Sequence, residues 1–205
     1  MAAKVVILDY GSGNLRSAER AVARTGADVT VTSDLAAAAE ADGLVVPGVG
    51  AYAACMAGIE ALNAGPVIAD RVAAGRPVIG ICVGMQILFE SGVEHGVETK
   101  GLGLLPGSVT KLSAERIPHM GWNTVAAPSG SRLLAGLDPE TRFYFVHSYA
   151  AQDLDLLENA LVTTANHDLP FAAVVEAGPL SAAQFHPEKS ADAGFALLRN
   201  WVATL

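Results

Sequence analysis

Apolar residues in the first half of the chain form short runs that alternate with helical patterns. Four runs are rich in β-branched residues and predict buried strands: KVVILDY (4–10), DVTVT (28–32), GLVVPGVG (43–50) and RPVIGI (76–81). Helical spacing is found between and after them, over 15–25, over 34–40, in segments up to 74 and over 84–91. This alternation predicts an α/β fold, an open and mostly parallel sheet with helices on both faces.

The second half has a different pattern, in which short strands are separated by Gly, Pro and Asp. These strands are SVTKL (108–112), GWNTVAA (121–127), RFYFVHSY (142–149), ALVTTANH (160–167), FAAVVEAG (171–178) and LSAAQFH (180–186). We expect them to form an antiparallel extension packed on the parallel sheet. A final helix is predicted from about Ala191, with an apolar face of Phe195, Leu198, Trp201, Val202 and Leu205. No linker or repeat is visible, so residues 1–205 are predicted to form a single domain.

Composition and charge narrow the classes of function. Hydrophobic residues make up 51% of the chain and charged residues 17%, which suits a well-packed core. The net charge is −8 and there is no basic patch, so we expect neither nucleic acid nor an anionic membrane as a partner. Two cysteines, no visible signal peptide and no apolar stretch of about 20 residues lead us to expect a cytoplasmic location.

The sequence GICVGMQ places Cys82 between the fourth predicted strand and the helix that follows it. This arrangement has the form of a nucleophile elbow, in which a sharp strand-to-helix turn exposes the reactive side chain. The flanking Gly80 and Gly84 allow neighbouring backbone and substrate to approach. Free cysteines are also commonly buried as small apolar residues, and the local pattern fits either interpretation.

A nucleophilic cysteine needs a base and a group that orients the base. Of the five histidines, only His186 has a carboxylate in a compact motif, QFHPEKS (184–190), where Pro187 stiffens the chain before Glu188. Strand ends in open α/β sheets are where ligands bind, although an exposed loop with both side chains solvated fits as well. No histidine or cysteine shows metal-ligand spacing, so neither a metal nor another cofactor is expected.

Acyl chemistry also needs donors for an oxyanion. The segment PGVG (47–50) ends the third strand, and its glycines allow N–H groups to turn toward a ligand, although an ordinary Pro-Gly turn fits too. The segment DYGSGN (9–14) is a second Gly-rich turn. It lacks the glycine spacing of dinucleotide-binding loops, so the interpretations left for it are an interface loop and a ligand-binding loop.

Six segments in order resemble one family. PGVGAY, GICVGMQ and FHPEKS are similar to the triad-type (class I) glutamine amidotransferases, whose domain is flavodoxin-like. DYGSGN, HMGWN (119–123) and FYFVHSY (143–149) narrow the resemblance to the glutaminase subunits of imidazole glycerol phosphate synthases. Relatives outside that branch usually carry His where this chain has Met85.

The resemblance implies a role for individual residues. Cys82 is the nucleophile, His186 the general base and acid, and Glu188 the residue that orients it. The backbone N–H groups of Val49 and Val83 form the oxyanion hole. The implied substrate-binding positions are Gly50, Gln86, Glu94, Ser148 and Tyr149, and the implied partner interface and ammonia gate comprise Asn14, Met120, Trp122, Tyr144 and Lys189. From the sequence alone, Trp122 and Tyr144 are equally compatible with core aromatics.

The implied substrate is L-glutamine, and the implied partner is a separate cyclase subunit. That subunit is a (β/α)8 barrel, which forms a heterodimer and makes imidazole glycerol phosphate and an aminoimidazole carboxamide ribotide. The resemblance also implies that the glutaminase is nearly silent until the partner binds substrate. We attribute this to a misaligned oxyanion loop, which a peptide flip permitted by the PGVG glycines would align.

Two other functions remain open from the sequence. One is a glutaminase for a different synthase, or another Cys-triad enzyme such as a γ-glutamyl hydrolase. The other is a non-enzymatic interaction or regulatory subunit, against which the intact Cys82, His186 and Glu188 argue.

Overall fold

Five parallel strands form the centre of the fold. The computed structural model describes residues 1–205. The strands are β1 (Lys4–Leu8), β2 (Asp28–Thr32), β3 (Gly43–Gly48), β4 (Val78–Cys82) and β13 (Leu180–Ala183), arranged in the order β2-β1-β3-β4-β13. This is the flavodoxin-like order, in which ligands bind outside the carboxyl ends of the strands. Every residue of β3 and β4 is buried, as their continuous apolar runs predict.

Six α-helices accompany the sheet. They are α1 (Leu15–Ala23), α2 (Leu35–Glu40), α3 (Tyr52–Leu62), α4 (Ala64–Ala73), α5 (Val83–Gln86) and α6 (Ala191–Val202). Asp34 begins α2 because its carboxylate accepts the backbone N–H groups of Ala36 and Ala37. No helix is long and apolar enough to cross a membrane.

Three further groups of strands are mainly antiparallel. β11 (Leu161–His167) and β12 (Leu169–Ala177) extend the main sheet beyond β13. A four-stranded sheet combines β10 (Tyr149–Ala151), β7 (Leu105–Lys111), β5 (Phe89–Glu94) and β6 (Val97–Lys100), with β5 and β7 as the one parallel pair among these groups. β8 (His119–Thr124) and β9 (Arg142–His147) pair as a separate two-stranded ribbon, which we call the β8–β9 ribbon. The α/β class and the antiparallel extension are therefore confirmed.

Three details differ from the sequence prediction. The helix predicted over 84–91 ends at Gln86, because Phe89–Glu94 instead forms a strand between β6 and β7. The last predicted strand of the second half, β13, pairs in parallel with β4 and completes the central sheet. In α6 the buried face includes Leu197, whereas Phe195 is only half-buried and lies under the Arg24 guanidinium.

Candidate active site

Cys82 lies at a strained turn between β4 and α5. Its φ of 56° and ψ of −116° fall where a side chain with a Cβ is rarely found, as at a nucleophile elbow. Neighbouring backbone leaves no space for side chains beside it. A Cβ at Gly84 would collide with the Val46 carbonyl, and one at Gly48 would collide with the Gly84 backbone. The elbow is therefore built from closely packed main chain.

His186 follows β13 and meets Glu188 through a short 3-10 helix, Pro187–Lys189. His186 Nδ1 lies 2.7 Å from Glu188 Oε1, and both side chains are buried. Ser190 fixes this segment, since its Oγ donates to the His186 carbonyl at 2.7 Å and accepts the Tyr144 N–H at 2.9 Å. The His186 ring is thus oriented by its carboxylate partner and by the backbone around it.

The protonation of His186 depends on two opposing effects. Burial disfavours its charge and lowers the pKa, whereas interactions with the Cys82 thiol and the Glu188 carboxylate raise it. The second effect is larger in sum and raises the pKa of His186 to about 9. His186 and Cys82 line one cavity, and Glu188 holds the His186 ring at Nδ1. This arrangement can activate a thiol as a nucleophile.

A cavity of about 290 Å³ opens above Cys82. The predicted residues that line it are Val49, Gly50, Cys82, Val83, Gln86, Glu94, Ser148, Tyr149, His186 and Lys189. They come from the ends of β3 and β4, from α5 and β5, and from the second half of the chain, so the fold brings distant segments of the sequence together. Such a volume suits a small molecule.

The residues predicted to hold the substrate already have hydrogen-bond partners within the chain. Gln86 Nε2 donates to the Tyr149 carbonyl at 2.9 Å and to Gln184 Oε1 at 3.0 Å. Glu94 Oε2 accepts the Tyr52 N–H at the start of α3, at 3.0 Å. The Tyr149 carbonyl is thus engaged within the chain.

The backbone of Val49, the predicted oxyanion donor, contacts the 9–14 turn. Its N–H donates to Ser12 Oγ at 3.1 Å, and Ser12 Oγ lies 2.9 Å from the Val49 carbonyl oxygen. Cys55 Sγ lies 3.2 Å from the same hydroxyl. In this structure the Val49 N–H is therefore engaged by the 9–14 turn. Gly50, with a φ of 87°, gives the segment its left-handed bend.

Two residues predicted for the partner interface are exposed apolar side chains on the β8–β9 ribbon. Met120 is 66% exposed and Trp122 is 51% exposed, so Trp122 is not a core aromatic. Tyr144 pairs with Trp122 across the ribbon, with ring centroids 5.9 Å apart. Lys189 is exposed at the cavity, and the Asn14 carbonyl accepts the N–H groups of Ser17 and Ala18 in the first turn of α1.

Sequence reasoning missed several residues of the site. Ser12 engages Val49, His147 lines the cavity, Gln184 contacts Gln86, and Ser190 anchors His186. His147, Gln184 and Ser190 lie within the motifs FYFVHSY and QFHPEKS, but only the fold reveals their partners. No group of three or more His, Cys, Asp or Glu side chains is arranged to hold a metal ion.

Comparison with known proteins adds sequence and structural relatives. Residues 6–204 match the family described as Glutamine amidotransferase class-I. The chain is 64% identical to the imidazole glycerol phosphate synthase subunit HisH of Mycolicibacterium paratuberculosis, covering 98% of both chains. It is 62% identical to the HisH subunit of Thermobifida fusca over the full length of both. The structure of PurLQS from Thermotoga maritima shares the fold with a TM-score of 0.75 at 18% identity, over 100% of this chain and 99% of that one.

Proposed function

The chain belongs to the class-I glutamine amidotransferases, in the branch of the HisH subunits of imidazole glycerol phosphate synthase, and we propose how its residues perform that activity. It is the glutamine-hydrolysing subunit of that synthase, in histidine biosynthesis. We further propose that residues 1–205 act as one glutamine amidotransferase domain. The observation that carries the assignment of residues is that Cys82 and His186 line one cavity, while Glu188 is bonded to the buried His186 ring at 2.7 Å.

In the proposed reaction, His186 accepts the Cys82 proton and the thiolate attacks the side-chain amide carbon of L-glutamine. The oxyanion is stabilised by the Val83 N–H and, after its peptide turns, by the Val49 N–H. His186 then donates its proton to the leaving nitrogen, and ammonia departs from a glutamyl thioester. Water deprotonated by His186 hydrolyses the thioester to glutamate and restores the Cys82 thiol.

Two features support a silent resting state. The Val49 N–H is donated to Ser12, so one oxyanion donor is occupied in the free chain. The glycines on either side of Val49, Gly48 and Gly50, permit a change of peptide orientation, because neither has a side chain that restricts its backbone angles. We propose that docking of the partner shifts this segment to the conformation that presents the Val49 N–H.

The proposed partner is a separate cyclase with a (β/α)8-barrel fold, which pairs with this chain as a heterodimer. Ammonia released into water near neutral pH would be protonated, so the acceptor has to cover the cavity. The exposed Met120 and Trp122 support an apolar contact surface, and Lys189 stands where ammonia would leave the cavity.

The direct test is a pull-down with the candidate cyclase, followed by turnover assays on the complex. Cys82→Ala should abolish glutamine-dependent turnover and leave ammonia-dependent turnover intact. Loss of both, or retention of both, would refute the assignment. If glutamine hydrolysis responds to no cyclase, the chain serves a different synthase or acts as another γ-glutamyl hydrolase.

The two cysteines provide a matched control for the nucleophile. A glutamine-analogue electrophile should label the wild type and Cys55→Ala but not Cys82→Ala, as read by intact-protein mass spectrometry. Equal labelling of the two variants would show that Cys82 is not the reactive residue. Absence of labelling in the wild-type complex would favour a non-enzymatic role.

A further inference from the structure

Beneath the glutamine cavity lies a pair of buried histidines that the proposed reaction does not use. His119 on β8 and His147 on β9 are direct cross-strand partners, and both are buried. His119 Nδ1 lies 3.0 Å from His147 Nε2. His147 Nδ1 lies 2.9 Å from the Tyr149 carbonyl oxygen, and His147 lines the cavity, whereas His119 does not.

The direction of each hydrogen bond in this series follows from its two ends. At one end, Asn123 Oδ1 accepts the Thr124 N–H and its Nδ2 donates to the Asn166 carbonyl, so the amide orientation is fixed. Nδ2 therefore also faces His119 Nε2, 3.2 Å away, as a donor. His119 must then be neutral with its proton on Nδ1, which donates to His147.

At the other end, the Tyr149 carbonyl can only accept. His147 accordingly carries its proton on Nδ1 and accepts at Nε2, in agreement with the direction set by Asn123. Every ring nitrogen has a complementary partner only when both imidazoles are neutral. Burial supports that state, since it lowers the pKa of His119 to about 4 and that of His147 to about 3.

The series continues from Tyr149 into the substrate site. The same carbonyl accepts from Gln86 Nε2, whose second hydrogen is donated to Gln184 Oε1. Both amide hydrogens of Gln86 are therefore used, and Oε1 is the polar atom it has left for a ligand. Gln86 lines the cavity, and L-glutamine offers its α-ammonium group as a donor for that oxygen.

We propose that His119 and His147 are positioning residues for glutamine binding. Through the Tyr149 carbonyl they hold Gln86 so that its Oε1 accepts a hydrogen bond from the substrate. This inference rests on the proposed function, because it assigns residues that act on the same site. The two histidines act through Tyr149 and Gln86 and take no part in the transfer of protons to or from Cys82.

A pair of substitutions at His119 separates hydrogen bonding from packing. His119→Asn places an amide donor near the former position of Nδ1, whereas His119→Gln places its amide near that of Nε2 and is closer in volume to histidine. Glutamine-dependent and ammonia-dependent turnover are measured for each variant in complex with the cyclase. We expect His119→Gln to raise KM for glutamine about tenfold and His119→Asn to raise it less than about threefold.

For both variants, kcat and ammonia-dependent turnover should stay within about twofold of wild type. A purely structural role predicts the reverse order, with Asn more harmful than Gln, and that order would overturn the proposal. Equal KM values for glutamine in the wild type and both His119 variants would overturn it as well. His167→Phe is the matched control, since His167 stacks on His119 at 4.4 Å but stands outside the series, and it should leave KM unchanged.

A second variant keeps the proposal testable if His119→Gln does not fold. Asn123→Ala changes a half-buried residue and removes the donor that fixes the His119 proton, together with the side-chain bonds to Thr124 and Asn166, so KM should rise about threefold. An unchanged KM in this variant would overturn the proposal. If the wild-type complex shows no glutamine-dependent turnover, the proposed function itself is refuted. Failure of the positioning role and failure of the proposed function are therefore distinguishable.

Discussion

The contact between Ser12 and Val49 leads to a quantitative prediction about activity without the partner. Ser12 Oγ accepts the Val49 N–H at 3.1 Å, and under the proposed function this is the resting conformation, in which that N–H is not available to the oxyanion. Ser12→Ala removes this acceptor and so destabilises the resting orientation of the peptide. Val49 is 41% exposed, and water can therefore partly replace the hydroxyl.

The size of the effect follows from that exposure. A typical net hydrogen-bond contribution is about 1 kcal/mol. A change of this size alters the ratio of two conformations about fivefold. Partner-free glutamine hydrolysis by Ser12→Ala should therefore rise about fivefold, while the fully activated complex, whose peptide has already turned, should change little.

The assay is glutamate release by the purified chain, with and without saturating cyclase. Ser12→Thr keeps the hydroxyl and serves as the matched control, with a partner-free rate close to wild type. A partner-free rate in Ser12→Ala that equals or falls below wild type, at an unchanged activated rate, would refute the idea that Ser12 holds the resting peptide.

Three further predictions concern activation, docking and pH. Gly50→Ala should lower the partner-activated glutaminase activity more than the affinity for the partner, because Gly50 has a φ of 87° and a side chain there strains the bend. Equal losses in turnover assays and binding titrations would contradict this prediction. Trp122→Ala should weaken cyclase binding about 30-fold in titration calorimetry, as expected for loss of an exposed aromatic anchor worth about 2 kcal/mol, without changing labelling of Cys82. The raised pKa of His186, about 9 against an ordinary 6.5, means that the folded chain holds a proton which the unfolded chain loses at lower pH. The stabilisation from this proton is complete below about pH 6.5 and is lost as pH rises through 9. The melting temperature of the wild type should therefore fall across this window, and that of His186→Gln should depend less on pH.

The central sheet was predictable because its strands are short apolar runs whose burial needs no knowledge of the rest of the chain. Gly84–Ser91 was not, since Leu88 and Phe89 fit a helical face as well as a strand. The strand forms because β6 and β7 supply hydrogen-bonding edges on both sides of Phe89–Glu94. Such pairing depends on contacts that no local pattern encodes.

The candidate site also has parts that the sequence predicts and parts that it does not. The positions of Cys82, His186 and Glu188 followed from motifs at strand ends, where the topology of an open sheet gathers residues. The orientation of the Val49 peptide could not be predicted, because it depends on a serine 37 residues away in sequence. The proton positions of His119 and His147 likewise follow only from the partners that the fold gives them.

The glycine packing around Cys82 has a consequence for how such chains diverge. Because Gly48 and Gly84 meet backbone, a side chain at either position would displace the main chain around the nucleophile. The central sheet thus offers few positions at which mutation can change function. New specificities and new partners arise more readily at exposed positions near the site, such as Met120 and Trp122 on the β8–β9 ribbon. The tightly packed elbow is where a descendant has the least freedom to change.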